Sequence, residues 1–180
     1  MKVSATELAG VKLIEPKVFG DDRGFFMESW NARTFAEAGI DAAFVQDNHS
    51  RSRKGVLRGL HYQIEHAQGK LVRCVSGEVF DVVVDLRRSS PTFGRTTALT
   101  LSAQNQRMLW VPPGFAHGFL VLSEYADFLY KTTDYWYPEH ERTLLWNDAA
   151  LAIAWPLAGA PTLTAKDAAG TPLAAAQAYD

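Results

Sequence analysis

Between residues 70 and 133 the chain alternates short apolar, β-branched runs with turn residues at near-even spacing, and this rhythm restricts the fold more than any other feature. The clearest run is Val79–Leu86. Phe80, Val82, Val84 and Leu86 fall on one face by the two-residue period, and Asp81, Val83 and Asp85 on the other. Further strands are expected at 70–76, 96–101, 107–111, 117–122 and 126–133. Turns are expected at Ser76-Gly77, Ser89-Ser90-Pro91 and Pro112-Pro113-Gly114. Only residues 31–38 read as a clear helix: Asn31 suits the N-cap, Phe35 and Ala38 can face inward, and Gly39 can end it. Such a pattern predicts an all-β sandwich or jelly roll with a few short helices. No linker interrupts it, so residues 1–180 read as a single domain. From about residue 150 an alanine-rich tail with Pro156, Pro161 and Pro172 reads as irregular, apart from a short helix near 173–178. Trp146, Ile153 and Trp155 predict that this tail packs on the barrel.

Composition narrows the partners. Hydrophobic residues make up 47% of the 180, enough for a sizeable core. Lys and Arg number 18 against 20 Asp and Glu, a net charge of −2, so nothing marks a nucleic-acid or membrane-surface binder. The basic run Arg51, Arg53, Lys54 and Arg58 reads as a solvated loop unless a local anion site uses it. Cys74 is the only cysteine and, beside Val72 and Val75, reads as a small core residue. The first residues lack the apolar run of a signal peptide, and a cytoplasmic protein is expected.

The chemistry-bearing residues concentrate in a few segments. Leu57-Arg58-Gly59-Leu60-His61-Tyr62-Gln63 is followed closely by Lys70. An arginine is a fork for phosphate, a histidine is the common proton carrier near neutral pH, and a lysine can hold a developing oxyanion. Together they suggest proton transfer on a substrate gripped by its phosphates. Gln46 and Asn48 share one strand face and could read a planar ligand, although a polar outer strand explains them equally well. Pro112-Pro113-Gly114 sets a turn just before His117, which among Phe115 and Phe119 is more commonly a packed, hydrogen-bonded histidine than a catalytic one. Tyr135, Trp136 and Tyr137 could stack on a flat base, or belong to a core or a dimer interface.

These segments together resemble the dTDP-4-dehydrorhamnose 3,5-epimerase family. The matching motifs run nearly end to end: Asp-Asp-Arg-Gly-Phe-Phe at 21–26, Gln-Asp-Asn-His-Ser at 46–50 and Leu-Arg-Gly-Leu-His-Tyr-Gln at 57–63. Pro-x-Gly-Phe-Ala-His-Gly-Phe at 112–119, Tyr130-Lys131, Leu145-Trp146-Asn147-Asp148 and Lys166-Asp167 complete them. The resemblance implies a cupin-like jelly roll, a homodimer, and catalysis without metal or cofactor. The substrate it implies is dTDP-4-dehydro-6-deoxy-D-glucose, a dTDP-4-keto-6-deoxy sugar, inverted at carbons 3 and 5 toward dTDP-L-rhamnose. Both carbons flank the ketone at carbon 4, so deprotonation gives an enolate.

By the same resemblance His61 is the general base, Asp167 orients it, Tyr130 is the acid on the opposite ring face, and Lys70 faces the ketone oxygen. Arg23 and Arg58 match residues that hold the nucleotide sugar. Glu28, Gln46, Asp47 and Asn48 match the nucleotide pocket, and His117, Glu141 and Lys166 match further substrate contacts. Trp136 stands where the family usually has a base-stacking tyrosine, and Phe19 would cover the other side of the base. Asp81 could support Lys70 or cap a polar network.

Rival readings remain. They are a single-carbon epimerase, a sugar-nucleotide ketoisomerase, a non-catalytic nucleotide-sugar binder and a metal-dependent oxygenase. The last is disfavoured because His61-Tyr62-Gln63 stands where a metal-binding cupin carries His-x-His, and Gln is a weak ligand.

Overall fold

The computed structural model describes residues 1–180. In chain order the strands are β1 (Lys2–Ala5), β2 (Lys12–Glu15), β3 (Val18–Asp21), β4 (Gly24–Met27), β5 (Gln46–Arg53), β6 (Leu57–Gln63) and β7 (Lys70–Ser76). They continue as β8 (Glu78–Asp85), β9 (Thr96–Ser102), β10 (Met108–Val111), β11 (Phe115–Val121), β12 (Tyr125–Thr132) and β13 (Glu141–Thr143). Helix α1 (Ala32–Glu37) lies between β4 and β5, and α2 (Ala165–Ala168) lies in the tail. Two antiparallel sheets face one another, ordered β1-β2-β10-β7-β12-β5 and β13-β6-β11-β8-β9, while β3 and β4 form a separate hairpin. This is the expected all-β jelly roll.

The period-two pattern sorts the side chains into three apolar layers. Val72, Val83, Leu109, Phe119 and Phe128 belong to a cluster drawn from both sheets, which is the barrel interior. Val82, Val84 and Leu86 point the other way, into a second cluster that the tail covers with Leu151, Ile153, Trp155 and Ala176. Ile153 and Trp155 are partly buried against that cluster. A third cluster lies on the outer face of the six-stranded sheet, where Phe35 of α1 and Ile40 cover Ile14, Leu71 and Met108. Helix α1 forms as expected: the Asn31 side chain accepts from the amides of Arg33 and Thr34, and Gly39 takes φ +74° just after it.

Several local expectations are corrected. Arg51 and Arg53 are not in a loop but on β5, paired to β12, with the small Ser50 and Ser52 taking the alternate face. Strands β1, β2 and β13 were not legible, being three or four residues long and half polar. The tail holds only a 3₁₀ turn at Leu173–Ala175 in place of a helix to 178. Beyond it the chain is drawn into extended bonds, Tyr179 N to Leu86 O at 2.9 Å and Arg88 N to Tyr179 O at 2.7 Å. The helical turn of the tail lies instead at Ala165–Ala168.

Candidate active site

At one end of the barrel the two sheets leave a cleft of about 280 Å³ lined by Gln46, Asn48, His61, Gln68, Lys70, Tyr130, Trp136 and Glu141. His61 comes from β6 in the five-stranded sheet, and Lys70 and Tyr130 come from β7 and β12 in the other. The sandwich thus sets a histidine opposite a tyrosine and a lysine. Close approach of β6 to β11 is needed for this placement. Gly59 takes φ +119°, and a Cβ there would meet Gly118 Cα at 2.6 Å.

His61 Nε2 lies 2.5 Å from Asp167 Oδ1. The carboxylate can only accept, so the Nε2 proton is held there and Nδ1 keeps its lone pair. Burial lowers the His61 pKa, opposed by the Asp167 contact, so the imidazole is neutral and basic near pH 7. Asp167 is 2% exposed. Burial opposes its ionisation, but bonds from His61 and Thr164 outweigh this and hold it below the usual carboxylate range. Thr164 Oγ1 donates to Asp167 Oδ2 at 2.8 Å, and the same oxygen accepts from Asp167 N at 3.2 Å as the N-cap of α2.

Lys70 is buried, and its ammonium donates to the His61 carbonyl oxygen at 3.3 Å. Burial lowers its pKa to about 8, moderated by the charges of Glu141 and Asp81. Burial, and secondarily the charge of Glu141, raises the Tyr130 pKa, so its hydroxyl stays protonated. Below the cleft the wholly buried Asp81 takes both carboxylate oxygens to His117 Nε2, at 3.0 and 2.9 Å. Asp81 therefore both anchors His117 and adds negative charge near Lys70.

Further expected residues surround this centre. Arg58 Nε donates to Ser52 Oγ at 2.9 Å, and its charge acts on Tyr130. Lys166 Nζ donates to Glu141 Oε2 at 2.8 Å, and its charge is felt at His61. Gln46 Nε2 donates to Asn48 Oδ1 at 2.9 Å.

Four residues stand apart. Asp47 alternates to the outer sheet face, where it pairs with Lys131 at 2.8 Å. Glu28 accepts from Asn31 Nδ2 at 2.9 Å and lies off the cleft. Phe19 and Arg23 sit on the β3-β4 hairpin, where Arg23 pairs only with Asp21 and is 90% exposed. The sequence reading missed Thr164 and Gln68. Thr164-Ala165-Lys166-Asp167 carries the spacing of a capping box, a signal that could have found the first. Gln68 has no such signature.

The chain is similar to known proteins along its length. The family model described as dTDP-4-dehydrorhamnose 3,5-epimerase matches residues 5–175. The dTDP-4-dehydrorhamnose 3,5-epimerase of Pseudomonas aeruginosa is 63% identical over 180 residues, covering 99% of each chain. The crystal structure of the dTDP-6-deoxy-D-glucose-3,5-epimerase of Legionella pneumophila, in complex with dTDP-4-keto-L-rhamnose, is similar at 53% identity. Its TM-score is 0.95, with 98% of this chain and 94% of that chain covered. A 3'-monoepimerase of Streptomyces bikiniensis, bound to dTDP-quinovose, has a TM-score of 0.89 at 34% identity, with 94% of this chain and 86% of that one covered. A jelly roll whose cleft sets a carboxylate-held histidine against a half-buried tyrosine, with these similarities along its length, belongs to the dTDP-4-dehydrorhamnose 3,5-epimerase family.

Proposed function

We propose that this chain epimerises dTDP-4-dehydro-6-deoxy-D-glucose at carbons 3 and 5, giving dTDP-4-dehydro-L-rhamnose for dTDP-L-rhamnose synthesis. The observation that carries the reading is the opposed placement of His61 and Tyr130 on facing sheets of one cleft. His61 Nδ1 takes the proton from a carbon next to the ketone, and the resulting imidazolium is stabilised by Asp167. Lys70 offers its ammonium to the oxygen of the enolate. Tyr130 returns a proton from the other ring face, which inverts the centre. Trp136, 56% exposed at the cleft rim, stacks on the base. Arg58 and Lys166 supply positive charge for the diphosphate.

The working unit in this proposal is a homodimer in the cytoplasm, with no nucleic acid or membrane involved. Phe19 and Arg23 lie off their own chain's cleft, on a hairpin whose Phe25 and Phe26 are 64% and 71% exposed. A second copy that buried these rings would give Phe19 and Arg23 a partner's cleft to complete.

Incubation with the substrate in D₂O, followed by NMR, tests the reading. Deuterium at both carbons 3 and 5, lost in His61→Ala, is the expected result. Label at one carbon only would replace it with the single-carbon reading, which the similarity to a monoepimerase keeps in view. Tight dTDP binding with no label would leave a binding protein.

A further inference from the structure

Gln63 closes β6, two residues beyond His61, and is 3% exposed, yet it does not line the cleft. Its amide is spent on two loops, the one that follows β6 and the one between β12 and β13. Nε2 donates to His66 O at 2.8 Å and to Tyr135 O at 3.2 Å, and Oε1 accepts from Tyr137 N at 2.8 Å. The last two bonds fall on the residues either side of Trp136. Trp136 makes no ring–ring contact within the chain and is 56% exposed. Its only other tether is its amide, which donates to Gln46 Oε1 at 3.2 Å. A half-exposed indole with no aromatic neighbour takes its direction largely from its backbone, and that backbone is bracketed by one buried amide.

We propose that Gln63 is the positioning residue for nucleotide recognition: it fixes Trp136 relative to the strand that carries His61, so that base stacking and proton abstraction share one frame. The inference rests on the reading of Trp136 as the residue that stacks on the base. Only an amide serves here. A glutamate would keep the acceptor for Tyr137 N but set a carboxylate against the carbonyls of His66 and Tyr135, and methionine would lose all three bonds at nearly the same length.

The test is a double-mutant cycle on steady-state kinetics with the full chain, using Gln63→Met, Trp136→Ala and the pair. Gln63→Met should raise KM about tenfold, with kcat within about twofold of the parent. In the Trp136→Ala background the same change should raise KM by less than about twofold, because the residue it positions is gone. A merely structural role would lower kcat and melting temperature and would add in full to Trp136→Ala. Gln63→Glu serves if the methionine variant does not fold, and it should show the same KM-specific defect. An unchanged KM in a folded Gln63 variant, beside a raised KM in Trp136→Ala, overturns the inference alone. An unchanged KM in Trp136→Ala overturns the stacking reading and this inference with it.

Discussion

His61 and Asp167 meet at 2.5 Å across 106 positions of sequence, one from the middle of a sheet and the other from a four-residue helix in the tail. The tail therefore supplies a carboxylate to the cleft histidine and is not a cover alone. Its capping residue matters twice, since Thr164 both starts α2 and holds the second oxygen of Asp167.

Replacing Asp167 by Asn should lower kcat by about 10²–10⁴-fold, because an amide no longer stabilises the imidazolium or enforces the Nε2–H tautomer. Binding of dTDP should stay near normal. Thr164→Val removes one bond to the same carboxylate. It should cost about tenfold in kcat, the equivalent of about 1.4 kcal/mol, with Thr164→Ser recovering most of it. Equal loss of dTDP affinity in these variants would instead point to a collapsed tail.

If Lys70 faces the enolate oxygen as proposed, it should set the alkaline behaviour. Its ammonium is charged below about pH 8 and loses the proton above it. Stabilisation of the enolate oxygen should fade over that range, so kcat/KM should fall as pH rises through 8. In Lys70→Arg the group stays charged, and whatever activity survives should lack that limb. An alkaline limb unchanged in Lys70→Arg would assign the titration to another group.

Tyr130→Phe separates proton removal from proton return. His61 and its Asp167 partner are untouched, so exchange of substrate hydrogens with D₂O should continue. Formation of the inverted product should fall by about two orders of magnitude or more. Loss of both in parallel would make Tyr130 part of the abstraction step.

Much of this was legible in the residues. The alternation in β8 correctly sends Phe80, Val82 and Val84 to the tail-covered face and Val83 to the interior. The strand motif around His61 and the isolated Asp167 were readable only because motif order tied them together. No local pattern says that residues 61 and 167 touch. Asp47 shows the opposite failure: period two places it on the other face from Gln46 and Asn48, which the motif alone did not reveal. The shortest strands escaped because a four-residue run such as Lys12–Glu15 gains its identity from pairing, not from its own pattern.

The hairpin gives a prediction about assembly. Arg23 has only Asp21 for company in its own chain, so Arg23→Ala should leave fold and melting temperature intact while raising KM for the nucleotide sugar. If Arg23 serves the partner's cleft, complementation follows. A His61→Ala chain keeps a sound Arg23, and an Arg23→Ala chain keeps a sound base. Dimers that mix the two contain one cleft with both groups, whereas dimers of either variant alone contain none. Co-expression of the two chains with different tags, followed by tandem purification, should therefore give a higher rate at subsaturating substrate than either parent. Recovery absent from purified mixed dimers would confine Arg23 to its own chain. A monomer by sedimentation would remove the dimer from the account altogether.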